Sequence, residues 1–255
     1  MSKMNPIINK KCVSLHPFMA NDYFQFRQFT VHQGRCAMKV GTDGTLLGAW
    51  ARGGLTVLDI GTGTGLIALM MAQRFPEAQV VGVDIDPEAV AQARENVAMS
   101  PFASRIQLIN DDIRTLLPSP FPLHPSPFTA IVANPPYFME SLESPDSQRT
   151  LARHTASLTY RDLMAAAWRL LADDGELSVV IPFDCKARLE GEAALAGFFK
   201  SRECAVKTTP RKQPRRYLMA FRKHPCRLEQ TEGIIETAPN ERSDWYQELT
   251  KEFYL

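Results

Sequence analysis

The chain has 255 residues, of which 45% are hydrophobic, so one large α/β domain with a sizeable core is possible. Its five cysteines are widely spaced and form no CxxC pair, which argues against a disulfide framework or a metal site. No apolar run approaches the roughly 18–20 residues that span a bilayer, and residues 1–20 do not resemble a secretory signal. We therefore expect a cytoplasmic protein with reduced thiols.

The predicted elements alternate between short apolar strands and helices that begin or end at proline or glycine. In chain order, the predictions are a strand at 57–60, a helix at 66–74, a strand at 79–84, a helix at 87–99, a strand at 106–109, a short helix at 113–117, a surface loop with five prolines at 118–127, a strand at 128–133, a helix at 158–171, a strand at 176–181, a helix at 186–199, and strands at 202–208 and 216–222. This alternation predicts a parallel sheet with helices on both faces. We expect residues 1–22 to be a flexible extension. Residues 23–255 would form a single domain that starts with a cap segment over 23–52.

A glycine-rich turn, Asp59-Ile60-Gly61-Thr62-Gly63-Thr64-Gly65, follows the first of these strands. Glycines let the backbone approach a ligand closely and tolerate positive φ. Asp84 ends the next strand, where an acid can accept hydrogen bonds from ribose hydroxyls. The spacing is GxGxG and not GxGxxG, and Asp59 would repel a pyrophosphate but not a sulfonium that carries an ammonium group. The turn therefore favours S-adenosylmethionine over a dinucleotide.

Two further residues are candidates for contact with the cofactor adenine. Asp112 could accept a hydrogen bond from the adenine amine, or it could cap the short helix predicted to begin at Ile113. Ile85 could form an apolar wall beside the adenine, or it could belong to the core of the sheet. The sequence leaves both pairs of alternatives open.

Residues 134–137 read Asn-Pro-Pro-Tyr, directly after the fourth predicted strand. The exocyclic amine of adenine is a poor nucleophile because its lone pair is delocalised into the ring. The side-chain oxygen of Asn134 and the carbonyl of Pro135 could accept its two N–H groups, Pro136 would stiffen the backbone, and Tyr137 could stack on the base. The attacking nitrogen is neutral, so the enzyme's work is largely alignment. The motif predicts methyl transfer to an exocyclic or amide nitrogen, and a glutamine amide could be held in the same way.

Basic residues are concentrated in one part of the chain, although the formal net charge is only +1. Residues 201–227 carry nine Lys or Arg and one acid, whereas residues 228–255 carry seven acids and two bases. A basic block of this kind provides phosphate contacts in RNA-binding proteins, although it is often only a solvated face. The candidate RNA contacts are Arg211, Lys212, Arg215 and Arg216 in the block, Phe138, Arg149 and Arg153 after the Asn-Pro-Pro-Tyr motif, and Arg27, Arg35 and Lys39 among the phenylalanines near residue 26.

Three stretches of this chain resemble the bacterial tRNA1(Val) adenine-37 N6-methyltransferases, within the class I S-adenosylmethionine-dependent family. They are residues 35–50, which read RCAMKVGTDGTLLGAW, the 59–65 turn, and residues 134–137. The last two stretches mark the broad class, and the first is specific to the subfamily. The resemblance covers the chain from about Phe24 to its end. It implies an α/β, Rossmann-like class I methyltransferase with a seven-stranded, mostly parallel sheet and helices on both faces.

The resemblance also implies S-adenosylmethionine as cofactor and tRNA as partner, with no membrane and no obligatory protein partner. The implied cofactor contacts are Lys39, Val40, Gly41 and Thr42 beside the methionine end, Asp59, Gly61, Gly63 and Gly65 around it, Asp84 at the ribose and Asp112 at the adenine amine. We add Ile85, as the apolar wall suggested above, and Asn134 to the predicted cofactor contacts. The target adenine would lie against Asn134, Pro135, Pro136 and Tyr137. The implied activity is N6-methylation of an adenine in tRNA, at A37 of tRNA1(Val). Its alternatives are a protein-glutamine N5-methyltransferase, an NAD-dependent oxidoreductase and a non-catalytic RNA chaperone.

Overall fold

The computed structural model describes residues 22–36, 39–116, 127–135 and 158–255. The strands are β1 Tyr23–Gln25, β2 Thr30–His32, β3 Thr56–Ile60, β4 Gln79–Asp84, β5 Ile106–Asn110, β6 Phe128–Ala133, β7 Leu171–Pro182, β8 Phe199–Lys207, β9 Arg216–Arg222, β10 Glu229–Ile234, β11 Glu236–Ala238 and β12 Glu241–Arg242. The helices are α1 Thr42–Trp50, α2 Leu66–Arg74, α3 Pro87–Ala98, α4 Tyr160–Leu170, α5 Lys186–Leu195 and α6 Asp244–Thr250. Nearly all of the predicted extension and of the proline-rich loop lies outside the described residues.

The central sheet has eight strands in the order β10-β8-β9-β7-β6-β3-β4-β5. Strands β5, β4, β3, β6 and β7 run parallel to one another. Strand β9 runs antiparallel to β7 and β8 on either side of it, and β10 pairs parallel with β8. The sheet is therefore mostly parallel, with one reversed strand near its far edge.

The predicted count of seven strands is one too few, because β10 extends the sheet beyond β8. The side chains of residues 229–232 are exposed and polar, so the sequence carries no apolar alternation that would indicate a strand. Backbone pairing from Glu229 with Arg202 to Ile234 with Lys207 holds this segment in place.

Alternate side chains along each strand enter two separate cores. On β3, Val57 belongs to one core, and Leu58 and Ile60 belong to the other. Helices α1, α2 and α6 and the β1–β2 hairpin cover the first face of the sheet, while α4 and α5 cover the second. The predicted arrangement of helices on both faces is confirmed.

Four predicted elements differ from the structure by three residues or more, and one of them is the strand predicted at 202–208, which is β8 and begins at Phe199. Residues 113–115 form a turn and not a helix, and the N–H groups of Thr115 and Leu116 donate to the carbonyl of Asp112, both at 3.1 Å. Helix α5 ends at Leu195, before Gly197, whose φ of 96° is left-handed. Strand β7 begins directly after α4, because Leu171 already pairs with Phe128.

Side-chain caps fix where several helices begin. The Asp86 carboxylate accepts the N–H of Glu88 at 2.9 Å, and Pro87 occupies the first turn of α3. Thr159 forms a reciprocal capping box with Asp162 at the start of α4. Ser243 accepts the N–H of Tyr246 at 3.1 Å at the start of α6.

The acid-rich segment 228–255 is part of the folded domain. The side chains of Tyr246 and Phe253 are buried in the first core. The N–H of Arg27, in the loop between β1 and β2, donates to the carbonyl of Phe253 at 2.8 Å. Among the residues that the structure describes, no helix has the length and apolar character required to cross a membrane.

Candidate active site

The carboxyl ends of the parallel strands meet at one edge of the sheet, which we call the carboxyl edge. The glycine turn follows β3, Asp84 ends β4, Asp112 follows β5 and Asn134 follows β6. Because β9 runs the opposite way and Arg216 pairs with Pro182, the loop of residues 208–215 between β8 and β9 lies at this edge too. The opposite edge is called the amino edge below.

The glycine turn has open space on one side. Gly61, Gly63 and Gly65 have φ values of 70°, 54° and 80°, a left-handed range that favours glycine. A Cβ atom built on Gly61 would meet no atom within 4 Å, and one on Gly63 would meet only a carbonyl at 4.0 Å. The turn is tied to β4, because the N–H groups of Gly61 and Thr62 donate to the carbonyl of Val83 at 2.8 and 3.0 Å. A ligand can therefore approach the backbone of this turn closely.

Asp84 braces the turn from the neighbouring strand. Its carboxylate accepts the N–H of Gly63 at 2.8 Å and that of Asp86 at 3.0 Å. Each carboxylate oxygen has a second lone pair, so capacity remains for ribose hydroxyls. Next to it, the Ile85 side chain is 50% exposed, so the alternative that places Ile85 in the core of the sheet is wrong. Contact of either residue with a cofactor stays a prediction.

Asp59 lies beneath the turn, and its side chain has no solvent-exposed area. One carboxylate oxygen accepts from the Thr62 hydroxyl at 2.7 Å and from the N–H of Ala68 at 3.1 Å. The other oxygen is buried and has no hydrogen-bond partner among the described residues. Burial, reinforced by the negative charge of Asp84, raises the pKa of Asp59 to about 7. Asp59 thus fastens the turn to α2, and its predicted proximity to the methionine end of the cofactor is untested.

Thr62 can reach Asp59 because residue 82, on the adjacent strand β4, is a glycine. Asp59 pairs with Gly82 across the strands. A Cβ atom at residue 82 would lie 2.7 Å from the Thr62 hydroxyl oxygen and 2.7 Å from a methyl carbon of Leu108. The space above Gly82 is therefore occupied by the threonine that anchors the turn.

Asp112 pairs with Arg114 at the end of β5. The guanidinium donates to both carboxylate oxygens at 2.6 to 2.9 Å, which holds the pKa of Asp112 below its usual range. The carboxylate also accepts the backbone N–H of Arg114 at 2.9 Å, so it closes a turn in place of the predicted helix cap. Its predicted contact with the cofactor adenine would have to share these oxygens with Arg114.

Residues 39–43 lie beside the glycine turn because α1 packs on the start of α2. Gly44 faces Leu66 and Ile67, the first residues after the turn. The N–H of Val40 donates to the Gln33 side chain at 2.7 Å, which fixes the approach to α1. These contacts place the start of α1 beside the residues that follow the turn. Contact of Lys39, Val40, Gly41 and Thr42 with the methionine end of the cofactor stays a prediction.

Asn134 lies next to Gly61, the first glycine of the turn. Ala133 pairs with Ile60, so Asn134 and Gly61 follow at the ends of adjacent strands, about 5 Å apart. Asn134 is half-buried and Pro135 is buried. Pro136, Tyr137, Phe138, Arg149 and Arg153 lie outside the described residues, so their predicted roles remain predictions.

The structure divides the basic block into two sets. In the first set, positive side chains are paired within the fold: Arg202 and Arg222 with Glu176, Lys207 with Glu232, Arg216 with Asp43, and Lys223 with Asp173. In the second set, Arg211, Lys212, Arg215 and Arg227 are exposed, with no ion pair inside the described ranges. Only the first three of these lie at the carboxyl edge, in the 208–215 loop. The ion pair of Arg216 with Asp43 at the start of α1 favours a structural role over the predicted RNA contact.

The other basic group from the sequence is also used internally. Arg35 pairs with Glu95 at 2.8 Å, and the Arg27 side chain donates to the carbonyl of Tyr254. Phe26 and Phe29, which flank Arg27, are buried. These contacts favour a structural role for Arg27 and Arg35.

One residue of the carboxyl edge was missed from the sequence. Phe183 follows β7, and its side chain is 49% exposed. Its N–H donates to the carbonyl of Arg215 at 3.0 Å, which joins it to the basic loop. Nothing in the sequence singles out this phenylalanine, because only the pairing of β7 with β9 brings it to the loop.

The fold and the site together define a class I methyltransferase. A methyltransferase domain family matches residues 57–161. A predicted O-methyltransferase from Agrobacterium tumefaciens, known from its crystal structure, has the same fold, with a TM-score of 0.65 at 20% identity over 83% of this chain and 96% of that chain.

Curated relatives narrow this class. A tRNA1(Val) (adenine(37)-N6)-methyltransferase from Bacteroides thetaiotaomicron is 46% identical over 240 residues, which cover 93% of this chain and 99% of the relative. One from Histophilus somni is 40% identical over 235 residues, or 91% of this chain and 97% of the relative. The chain belongs to the tRNA1(Val) (adenine(37)-N6)-methyltransferase family.

Proposed function

We propose that this enzyme transfers the methyl group of S-adenosylmethionine to N6 of adenine 37 in tRNA1(Val). The observation that carries the proposal is the position of Asn134, which stands at the strand end next to the open glycine turn. A nitrogen held by Asn134 would lie beside a ligand held by the turn. Family membership supplies the substrate.

The residues at the turn fit S-adenosylmethionine. The open side of Gly61 and Gly63 accommodates a ligand, and Asp84 has acceptor capacity for ribose hydroxyls. Asp59 lies beneath the turn with one buried oxygen that is unpartnered among the described residues and a pKa raised to about 7, and a cationic ligand in the turn would favour its ionised form. When bound, the cofactor supplies an electrophilic methyl group on a positively charged sulfur.

The role of the chain at the acceptor end is alignment. The Asn134 side-chain oxygen and the Pro135 carbonyl accept the two N–H groups of the adenine amine, which directs the nitrogen lone pair toward the methyl group. No general base is required before transfer, because the amine is neutral. Tyr137 stacks on the target base, which has to leave its own stack to enter the site.

The basic loop provides the contact with RNA. Arg211, Lys212 and Arg215 are exposed at the carboxyl edge, and β9, which begins directly after the loop, is two strands away from β6. At strand spacings of about 5 Å, this places the loop roughly 10 Å to the side of Asn134. Phosphates flanking the target adenine can be held at that distance. A glutamine methyltransferase, the alternative from the sequence, has no need of such a surface.

The proposal is tested with Asn134→Ala. We expect turnover on tRNA to fall by at least about 100-fold, because the amine loses the acceptor that aligns it. The affinity for S-adenosylhomocysteine, measured by calorimetry, should stay within a few-fold of wild type.

Asn110→Ala is the matched comparison at the same edge. The Asn110 side chain donates to the carbonyls of Asp84 and Ile85, both at 3.0 Å. We expect this variant to weaken cofactor binding more than turnover at saturating cofactor. Near-normal turnover by Asn134→Ala would overturn the proposed acceptor geometry. Labelling of unfractionated RNA followed by nucleoside mapping tests the substrate, and a label that survives RNase would identify a protein acceptor instead.

A further inference from the structure

A pocket lies beside the candidate active site on the carboxyl edge. Its volume is about 380 Å³. Its lining includes Phe183 and Asp184 after β7 and Lys212, Gln213, Pro214 and Arg215 from the basic loop. The pocket thus combines an exposed aromatic ring, two cations, one carboxylate and one amide.

The pocket is preformed. The N–H of Arg215 donates to the carbonyl of Val206 at 2.9 Å, and that of Lys212 donates to Thr209 at 3.1 Å. The Phe183 ring packs against Tyr217, with ring centroids 6.1 Å apart, and the Lys186 ammonium lies 4.3 Å from the centroid of Tyr217 on β9. These contacts fix the backbone of the loop and the position of the phenylalanine before any ligand arrives.

The chemistry of the lining fits a nucleotide. An exposed aromatic ring offers a stacking surface that every base can use, and lysine and arginine contact phosphate oxygens. Asp184 and Gln213 provide acceptors and donors for the polar edge of a base. An aromatic platform with cations beside it is the usual combination in proteins that hold single-stranded RNA.

The register of the sheet gives the distance to the acceptor site. Ala133 pairs with Val179, and Phe183 is four residues further along the chain. Phe183 therefore lies on the order of 10 Å from Asn134, at a rise of about 3.3 Å per residue. Neighbouring nucleotides of an unstacked strand can span this distance.

We propose that this pocket holds a nucleotide adjacent to the target adenine, with its base stacked on Phe183 and its phosphate between Lys212 and Arg215. This inference rests on the proposed function and adds a subsite to it. Phe183 is a positioning and binding residue here, and it does not touch the reacting atoms.

The experiment compares Phe183→Ala with Phe199→Ala. Phe199 is the matched control, because it is 44% exposed and begins β8 at the amino edge. With a tRNA anticodon stem-loop as substrate, we expect Phe183→Ala to raise KM roughly tenfold with kcat near wild type. Phe183→Trp should restore KM, and Phe199→Ala should match wild type.

Abasic substitution of the RNA identifies the base. An abasic residue in place of the nucleotide on one side of the target adenine should raise the KM of the wild type roughly tenfold. The KM of Phe183→Ala should not rise further with this RNA, because the variant has already lost the stacking contact. Additive losses at both flanking positions, an unchanged KM, or a loss confined to kcat would overturn the inference. Direct titration of the RNA with each variant measures the same coupling as a change in binding affinity, so it tests the pocket without methyl transfer. Absence of methyl transfer by the wild type would overturn the proposed function and not this inference.

Discussion

Two buried carboxylates, one toward each edge of the sheet, differ in the charge of the groups around them. Glu176 lies at the amino edge and is 4% exposed. It accepts from Arg202 at 3.1 Å and from Arg222 at 3.2 Å, and Arg52 lies 3.7 Å away. Asp59 lies at the carboxyl edge with no exposed area, and its hydrogen-bond donors, Thr62 and Ala68, are neutral.

This difference separates an acid whose charge is neutralised by arginines from an acid that has no cation beside it among the described residues. A buried carboxylate surrounded by guanidinium groups is satisfied within the protein. A buried carboxylate without a cation costs folding free energy, and burial of this kind recurs at functional sites. The cations of the basic block also differ in this respect, since Arg202 and Arg222 are paired with Glu176, whereas Arg211, Lys212 and Arg215 in the 208–215 loop are exposed.

The largest expected effect is on Glu176. Glu176→Gln should lower the free energy of unfolding by about 3–5 kcal/mol, because Arg202, which is itself buried, would lose its counter-charge. Urea denaturation measures this loss. Glu229→Gln is the matched control, since Glu229 is exposed and pairs with Arg52 at 3.3 Å; it should cost less than about 1 kcal/mol. Equal losses in the two variants would remove the distinction between a buried and an exposed acid.

The same acid-to-amide change at Asp59 should raise the free energy of unfolding relative to wild type, and this gain should grow with pH. The pKa of Asp59 is raised to about 7 in the folded protein, so its contribution to stability is fully present below the unfolded pKa near 4 and is lost as pH rises through 7. Relative to wild type, Asp59→Asn should gain roughly 2–3 kcal/mol between pH 5 and pH 8 in the absence of cofactor. Parallel stability curves for the two proteins would show that Asp59 does not titrate between pH 5 and pH 8 in the folded protein, which would contradict this prediction.

The smallest effect expected here concerns the exposed cations. The double variant Lys212→Gln, Arg215→Gln should weaken tRNA binding by about tenfold and make the dependence of log K on log salt shallower by about 1.4, for two lost phosphate contacts. Arg227→Gln, an exposed arginine at the amino edge, should leave both values unchanged. If the salt dependence of the double variant equals that of wild type, the loop does not contact phosphates.

The sequence predicted which residues lie at the carboxyl edge, because strand ends can be recognised from local patterns. The glycine turn, Asp84 and Asn134 each follow a short apolar run, and parallel strands bring such ends together. The contacts of Asp84 with the turn and the exposure of Ile85 depend only on the pairing of β4 with its neighbouring strand β3. Most of the sheet was predicted for the same reason.

The remaining features depend on contacts between distant parts of the chain. Arg216 was predicted to contact RNA, but its partner Asp43 is more than 170 residues away in the sequence. Glu176 was not singled out, because its three arginines come from separate segments. Strand β10 has a polar, exposed surface, so only its pairing with β8 defines it. Local patterns cannot specify such pairings.

Gly82 extends the glycine signature of this enzyme beyond the contiguous turn. It lies on the neighbouring strand, touches no proposed ligand, and yet its missing methyl group is what lets Thr62 lean onto Asp59. A motif search written only along the chain would treat residue 82 as an ordinary strand position and accept alanine or valine there. A search that includes residue 82 on the adjacent strand together with the turn would be more selective. It would distinguish chains in which the threonine can bond the buried aspartate from chains that only contain the three glycines of the turn.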